Sequence, residues 1–115
     1  MNSVLGGWDD TIVAVATPPG LGAIGVIRVS GNLALTIADK LAPGKNISSR
    51  KSHTLHLSHI MQGAQVLDEA VIAIYKSPKS YTGEDVVEIS CHGSSYILQE
   101  VLGLCIQYGA RQAHP

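Results

Sequence analysis

Three glycines, Gly20, Gly22 and Gly25, stand at the spacing of a dinucleotide-binding fingerprint, but the residues they lead into do not suit one. That fingerprint needs its last glycine to open a helix, whose N-terminus then faces a pyrophosphate. Here the last glycine opens Val26-Ile27-Arg28-Val29, a β-branched run built for a strand. The acid that would meet a ribose, Asp39, falls inside an apolar-striped helix. The stretch therefore reads as a turn between two strands. It delivers one arginine, Arg28, into an otherwise apolar segment. A guanidinium there needs an anion or a planar polar partner, so Arg28 is a candidate ligand contact.

The rest of the pattern extends this into an α+β chain. Residues 11–16 are short and β-branched and predict a strand, as do residues 23–30. In the second, Ile24, Val26 and Arg28 share one face, while Ala23, Ile27 and Val29 share the other. Residues 32–42 carry an apolar stripe at helical spacing, capped by Ser30 or Asn32 and ended by Pro43-Gly44. Residues 45–52 read as a surface loop. Two strands follow, 53–60 and 66–75, joined by a turn into a hairpin, and then a strand over 85–91. A second helix spans 94–108, capped by Ser94 or Ser95 and closed by Gly109, and 110–115 is extended. The order predicts a mixed or antiparallel sheet with two helices.

Bulk properties narrow the function classes. The 115 residues fit one domain, 1–115, and 45% hydrophobic against 15% charged residues excludes disorder by composition. A net charge of −1 gives no charge excess that argues for nucleic acid or an anionic membrane, and it excludes neither, because a partner domain could supply the charge. No apolar run is long enough to span a bilayer, and the first ten residues lack the apolar core of a signal peptide. Two cysteines, Cys91 and Cys105, are too few for a disulfide framework, and a cytoplasmic chain with reduced thiols is expected. Both thiols suit core positions better than a nucleophile's.

His53, His56 and His59 invite a metal site, but on a strand the outer pair lie ~20 Å apart and His56 faces the other way. No metal is expected there. More informative is Glu88, which interrupts an apolar strand. Val86, Glu88, Ser90 and His92 share one face of it, and Val87, Ile89 and Cys91 the other. Glu88 is either a solvated surface residue or a buried carboxylate in need of a donor. His92, beside Gly93 at a strand-to-helix junction, either helps to bind a ligand or packs there. A carboxylate on one strand and an arginine on another suit a heteroaromatic ligand such as a pterin. The carboxylate accepts two parallel hydrogen bonds from an amino-pyrimidine edge, and the arginine binds a carbonyl or carboxylate, or stacks. There is no Ser-His-Asp arrangement and no P-loop, and no catalytic residue is expected.

Three ordered segments also carry a resemblance: residues 10–20, Gly25-Val26-Ile27-Arg28-Val29-Ser30-Gly31, and Tyr81-Thr82-Gly83-Glu84-Asp85-Val86-Val87-Glu88 with His92-Gly93. Together, and over about 10–115, the chain resembles the N-terminal domains of the MnmE (TrmE) family of tRNA-modification GTPases. The resemblance implies a domain like the tetrahydrofolate-binding domains of aminomethyltransferases. It implies binding of a one-carbon tetrahydrofolate, formyl or methylene, and a constitutive homodimer. Two family folate contacts fall on Arg28 and Glu88. The whole protein would also carry a helical domain and a GTPase domain using GTP, magnesium and potassium. With the FAD-dependent partner MnmG it would act on the wobble uridine of certain tRNAs. The family's further lysine contact and its P-loop are not within these residues, so this chain by itself is not expected to hydrolyse GTP. The competing expectation is a purely structural dimerisation domain, in which Arg28 and Glu88 form a salt bridge or an interface contact. A stand-alone folate-dependent transferase would need an acid–base pair that the sequence does not display.

Overall fold

The computed structural model describes residues 10–17, 22–78 and 83–113. Residues 1–9, 18–21, 79–82 and 114–115 lie outside them, among them Pro18-Pro19-Gly20 and Tyr81-Thr82. The elements run β1 (Ile12–Val15), β2 (Ile24–Ser30), α1 (Ala34–Leu41), a 3-10 turn (Ile47–Ser49), β3 (Thr54–Gln62), β4 (Gln65–Tyr75), β5 (Val86–His92), α2 (Ser95–Gln107) and β6 (Arg111–Gln112). The six strands form one sheet in the order β3-β4-β5-β2-β1-β6. The β1–β6 pair is parallel, and the other four pairings are antiparallel. The sheet is therefore mixed and the class α+β, as the residue pattern predicts.

One face of the sheet carries the core. Ile27 and Val29 of β2, Val87, Ile89 and Cys91 of β5, and Ile72 and Ile74 of β4 alternate onto it. They pack in one cluster with Ala34, Ile37, Ala38 and Leu41 of α1 and Val101, Leu102, Leu104 and Cys105 of α2. Gly25 also lies on this face, and its absent side chain has a packing reason. A Cβ there would come within 2.6 Å of Leu98 on α2. The glycine lets the helix rest directly on β2.

Local chemistry sets the element ends, with one correction. Neither Ser30 nor Asn32 caps α1. Ser30 Oγ instead donates to Glu84 Oε1 at 3.0 Å, and the Leu33 N–H at the helix start is accepted by Thr11 Oγ1 at 2.9 Å. The cap thus comes from the neighbouring strand. Gly31 makes this possible: its φ is +135°, and a Cβ there would sit 2.7 Å from the Thr11 Cα. At α2 the expected cap is present, with Ser94 Oγ accepting from the Ile97 N–H at 3.2 Å. The loop expected over 45–52 contains the 3-10 turn, and Ile47 within it is fully buried against the core.

In β3, Thr54, His56 and Ser58 alternate onto one polar face. They lie opposite Ile74, Ile72 and Ala70, on the helix-covered side, where Ser58 is buried. Leu55 and Leu57 point to the uncovered side and are 68% and 58% exposed. The apolar half of this amphipathic strand is turned away from the domain's own core.

Candidate functional site

Arg28 and Glu88 are directly opposite each other in the β2–β5 register, on the uncovered face of the sheet. Arg28 Nε donates to Glu88 Oε2 at 2.8 Å, and Nη2 lies 2.7 Å from the same oxygen. The side chains are 43% and 19% exposed, so the carboxylate is the more enclosed partner. The pair is part of a cross-strand row that reads Leu55, Ala73, Glu88, Arg28, Ala14 across five strands. Among the described residues of this row the two alanines on either side are short, which leaves a shallow trough at the charges. A flat polar ring can lie in such a trough with the guanidinium and carboxylate at its edge.

The two sequence motifs around this pair have a structural task as well. Glu84 receives the Ser30 hydroxyl, and the Asp85 carbonyl accepts from the Gly31 N–H at 2.9 Å. Asp85 Oδ1 also accepts from the Ser77 N–H at 2.9 Å. These bonds tie the end of β2, and the residues just after β4, to the start of β5. They hold the register that sets Arg28 opposite Glu88, because a slip of one residue would move one of them to the core face.

Two hollows flank the pair on the same face. One, of about 210 Å³, is lined by Ile12, Ala14, Val15, Ala16, Arg28 and Ser30. The other, of about 330 Å³, lies beyond Ser90 and includes Ile24, Leu57, Val71 and His92. His92 is the second polar feature of this end. Its Nδ1 is 2.6 Å from Asp68 Oδ1, and its backbone N–H donates to Asp68 Oδ2 at 2.9 Å. Burial by itself would raise the Asp68 carboxyl. The His92 backbone N–H, then its ring, outweigh that and hold the group below its ordinary value. Asp68 was not singled out from the sequence, since its contact with His92 depends on β4 lying beside β5, which brings together residues twenty-four positions apart.

The remaining candidates separate. His53 precedes β3 and meets the Tyr75 ring edge-on at 5.2 Å, His56 Nε2 lies 2.8 Å from Thr54 Oγ1, and His59 lies 3.7 Å from Glu69. They have three different sets of neighbours, and among the described residues no group of three potential ligands could hold a metal ion. Cys91 and Cys105 are both buried free thiols, as core residues should be. Burial first, then the charge of Asp68, pushes Cys91 up to about 11. Burial first, then Cys91, pushes Cys105 up to about 12. A thiolate is the reactive form, so both are protected twice, by access and by protonation. Iodoacetamide at pH 7.5 should therefore label neither thiol in the folded chain and both in denaturant, read by intact mass. Labelling of the folded chain at either cysteine within the same exposure would contradict this packing.

An α+β domain with helices on one face of its sheet and a charged pair in a trough on the other is the class defined by this geometry. Over residues 11–115 the chain matches the family model described as GTP-binding protein TrmE N-terminus, and it belongs to that family. It is similar to the tRNA modification GTPase MnmE of Flavobacterium psychrophilum, 54% identical over 109 residues, or 92% of this chain and 24% of the relative. The tRNA modification GTPase MnmE of Cytophaga hutchinsonii is 53% identical over 106 residues, with 92% and 23% covered. That of Streptococcus thermophilus is 45% identical over 106 residues, again with 92% and 23% covered. The chain thus spans about a quarter of the length of the curated relatives it matches. Among the described residues no helix is long and apolar enough to cross a membrane.

Proposed function

We propose that this chain is the tetrahydrofolate-binding, homodimerising N-terminal domain of a tRNA-modification GTPase that works with MnmG on the wobble uridine of certain tRNAs. GTP, magnesium and potassium would be bound by parts of that protein outside these residues, and its setting would be the cytoplasm. The observation that carries the folate half is the Arg28–Glu88 pair in its alanine-flanked trough on an uncovered face. A carboxylate held by a guanidinium is oriented to accept the paired N–H groups of an amino-pyrimidine edge. The arginine is then placed to meet the ring carbonyl or to stack. The chemistry supplied by a bound folate is a one-carbon unit; this chain's contribution is to bind and orient its carrier.

Homodimerisation gives the exposed apolar side of β3 a partner. β3 is an edge strand, and Leu55 on it is 68% exposed, a combination that favours association with a second copy. Titration calorimetry with a reduced formyl-folate should give one site per chain, and sedimentation velocity should give a dimer that Leu55→Glu converts to monomer. A dimer that takes up no folate would favour the purely structural reading, in which the pair is only a cross-strand brace. A wild-type monomer would overturn the association.

A further inference from the structure

The charge of this chain is segregated, although its sum is only −1. Between Asp39 and Asp68 there is no acid at all, while Lys40, Lys45, Arg50 and Lys51 fall in that interval. With Lys76 and Lys79 they make six of the eight lysines and arginines. Folding gathers the described ones where the 3-10 turn meets the start of β3 and the end of β4. Ile47, fully buried, pins the turn to the core. Lys76 Nζ donates to the Ser48 carbonyl at 2.9 Å, and the Lys76 backbone N–H donates to Ser52 Oγ at 2.8 Å. Arg50 Nε donates to the Lys45 carbonyl at 3.0 Å, and Thr54 Oγ1 donates to the Lys51 carbonyl at 2.6 Å. Lys45, Arg50 and Lys51 are exposed, and Lys76 is half-buried. Lys40, exposed at the end of α1, lies at the rim, its ammonium 5.6 Å from the Tyr108 ring centre.

None of these five cations forms an ion pair with a described carboxylate, whereas Arg28 and Arg111 are paired with Glu88 and Asp10. The nearby acids are turned to backbone: Asp39 Oδ1 accepts from the Ser48 N–H at 3.0 Å, and Asp85 Oδ1 from the Ser77 N–H. A field of one sign is left facing water. The surface is rich in lysine, a residue depleted from protein–protein interfaces. Spaced ammonium and guanidinium groups on a fixed frame suit instead the phosphates of a nucleic acid. His53 points the same way. Its exposed ring stands edge-on to Tyr75 at 5.2 Å, with Nδ1 2.8 Å from Ser52 Oγ. A ring among cations offers a stacking surface for an unpaired base. We propose, resting on the tRNA half of the reading above, that Lys45, Arg50, Lys51 and Lys76 form a contact surface for the phosphate backbone of an RNA. Phosphate contacts position a nucleic acid without reading its sequence, so this end of the domain holds the RNA and leaves its selection to other groups.

Fluorescence anisotropy of the full chain with a labelled, unmodified tRNA transcript tests this surface. Log affinity should fall against log salt with a slope of ~0.7–0.9 for each phosphate neutralised. The triple variant Lys45→Gln, Arg50→Gln, Lys51→Gln should bind at least ~tenfold more weakly at low salt, with a slope shallower by about two to three. All three side chains are exposed, so its circular dichroism and its folate titration should match those of the wild type. Arg111→Gln removes a paired cation elsewhere and should leave RNA affinity within about twofold. Equal affinity in the triple variant and the wild type would overturn the proposal, as would no RNA binding by the wild type at low salt. Displacement of the RNA by poly-glutamate, or by phosphatidylserine vesicles, at equal anion concentration would assign the surface to an acidic protein or a membrane and overturn it as well. The tRNA reading has its own measurement, mass spectrometry of tRNA nucleosides from cells that lack the gene. Intact wobble-uridine modification there would overturn that reading whatever the surface binds. Lost modification, with no RNA bound at the surface, would overturn the surface alone.

Discussion

Ile89→Ala should lower the stability of this domain by ~3–5 kcal/mol, while the same change at Ile106 moves it by no more than ~0.5 kcal/mol. Ile89 is fully buried on the middle strand β5, between β4 and β2, and belongs to the cluster that both helices cover. Removing its outer carbons forfeits their transfer energy and leaves a cavity that a sheet flanked on both sides cannot easily collapse. Ile106 lies on α2 but is 42% exposed, and alanine is the better helix former. Small domains are stable by only ~5–15 kcal/mol, so the first variant forfeits a large share and the second almost none. Urea unfolding followed by circular dichroism measures both. Equal midpoint shifts would mean that the helix-covered face of the sheet is not the sole core.

That contrast also marks where the residue pattern was readable and where it was not. The strand over 24–30 and the helix over 95–107 follow from local periodicity, because a side chain's alternation or stripe is set within the segment itself. Which face of a strand turns inward is a different matter. In β3 the leucines are exposed, because the register with β4 places Thr54 and His56 beside Ile74 and Ile72. An apolar face directed outward satisfies the local pattern equally well when something outside the domain covers it. Ile47 is hidden for the opposite reason: one apolar residue in a polar loop has no period, and only the fold places it in the core. The site was legible as residues but not as geometry. Arg28 and Glu88 each stand out as a charge in an apolar strand, whereas their adjacency depends on β2–β5 pairing between positions sixty residues apart. Asp68 was invisible because an acid near a strand start is unremarkable until the fold lays β4 beside β5 and brings it to His92.

The ion pair itself should separate stability from binding. Arg28→Leu alone leaves the enclosed Glu88 carboxylate without its guanidinium. Glu88→Leu alone leaves Arg28, the more exposed partner, better able to reach water. The expected costs are ~1–2 kcal/mol for the first and somewhat less for the second, since both groups keep partial solvation. The double variant should recover to within ~1 kcal/mol of wild type. Two leucines in a row already flanked by Leu55, Ala73 and Ala14 are compatible with that surface, and neither charge of the pair is left behind without the other. Folate affinity should behave in the opposite way and fall by about a hundredfold or more in the double variant, because both charge-assisted contacts to the ligand are gone. A thermodynamic cycle from urea midpoints, run beside calorimetry on the same four proteins, reads both quantities. Were the pair a structural brace, the double variant would stay as unstable as its worse parent and any ligand affinity would track the loss of fold. A double variant that is stable, folded and unable to hold folate would mean instead that the charges are kept in this apolar row for what they bind.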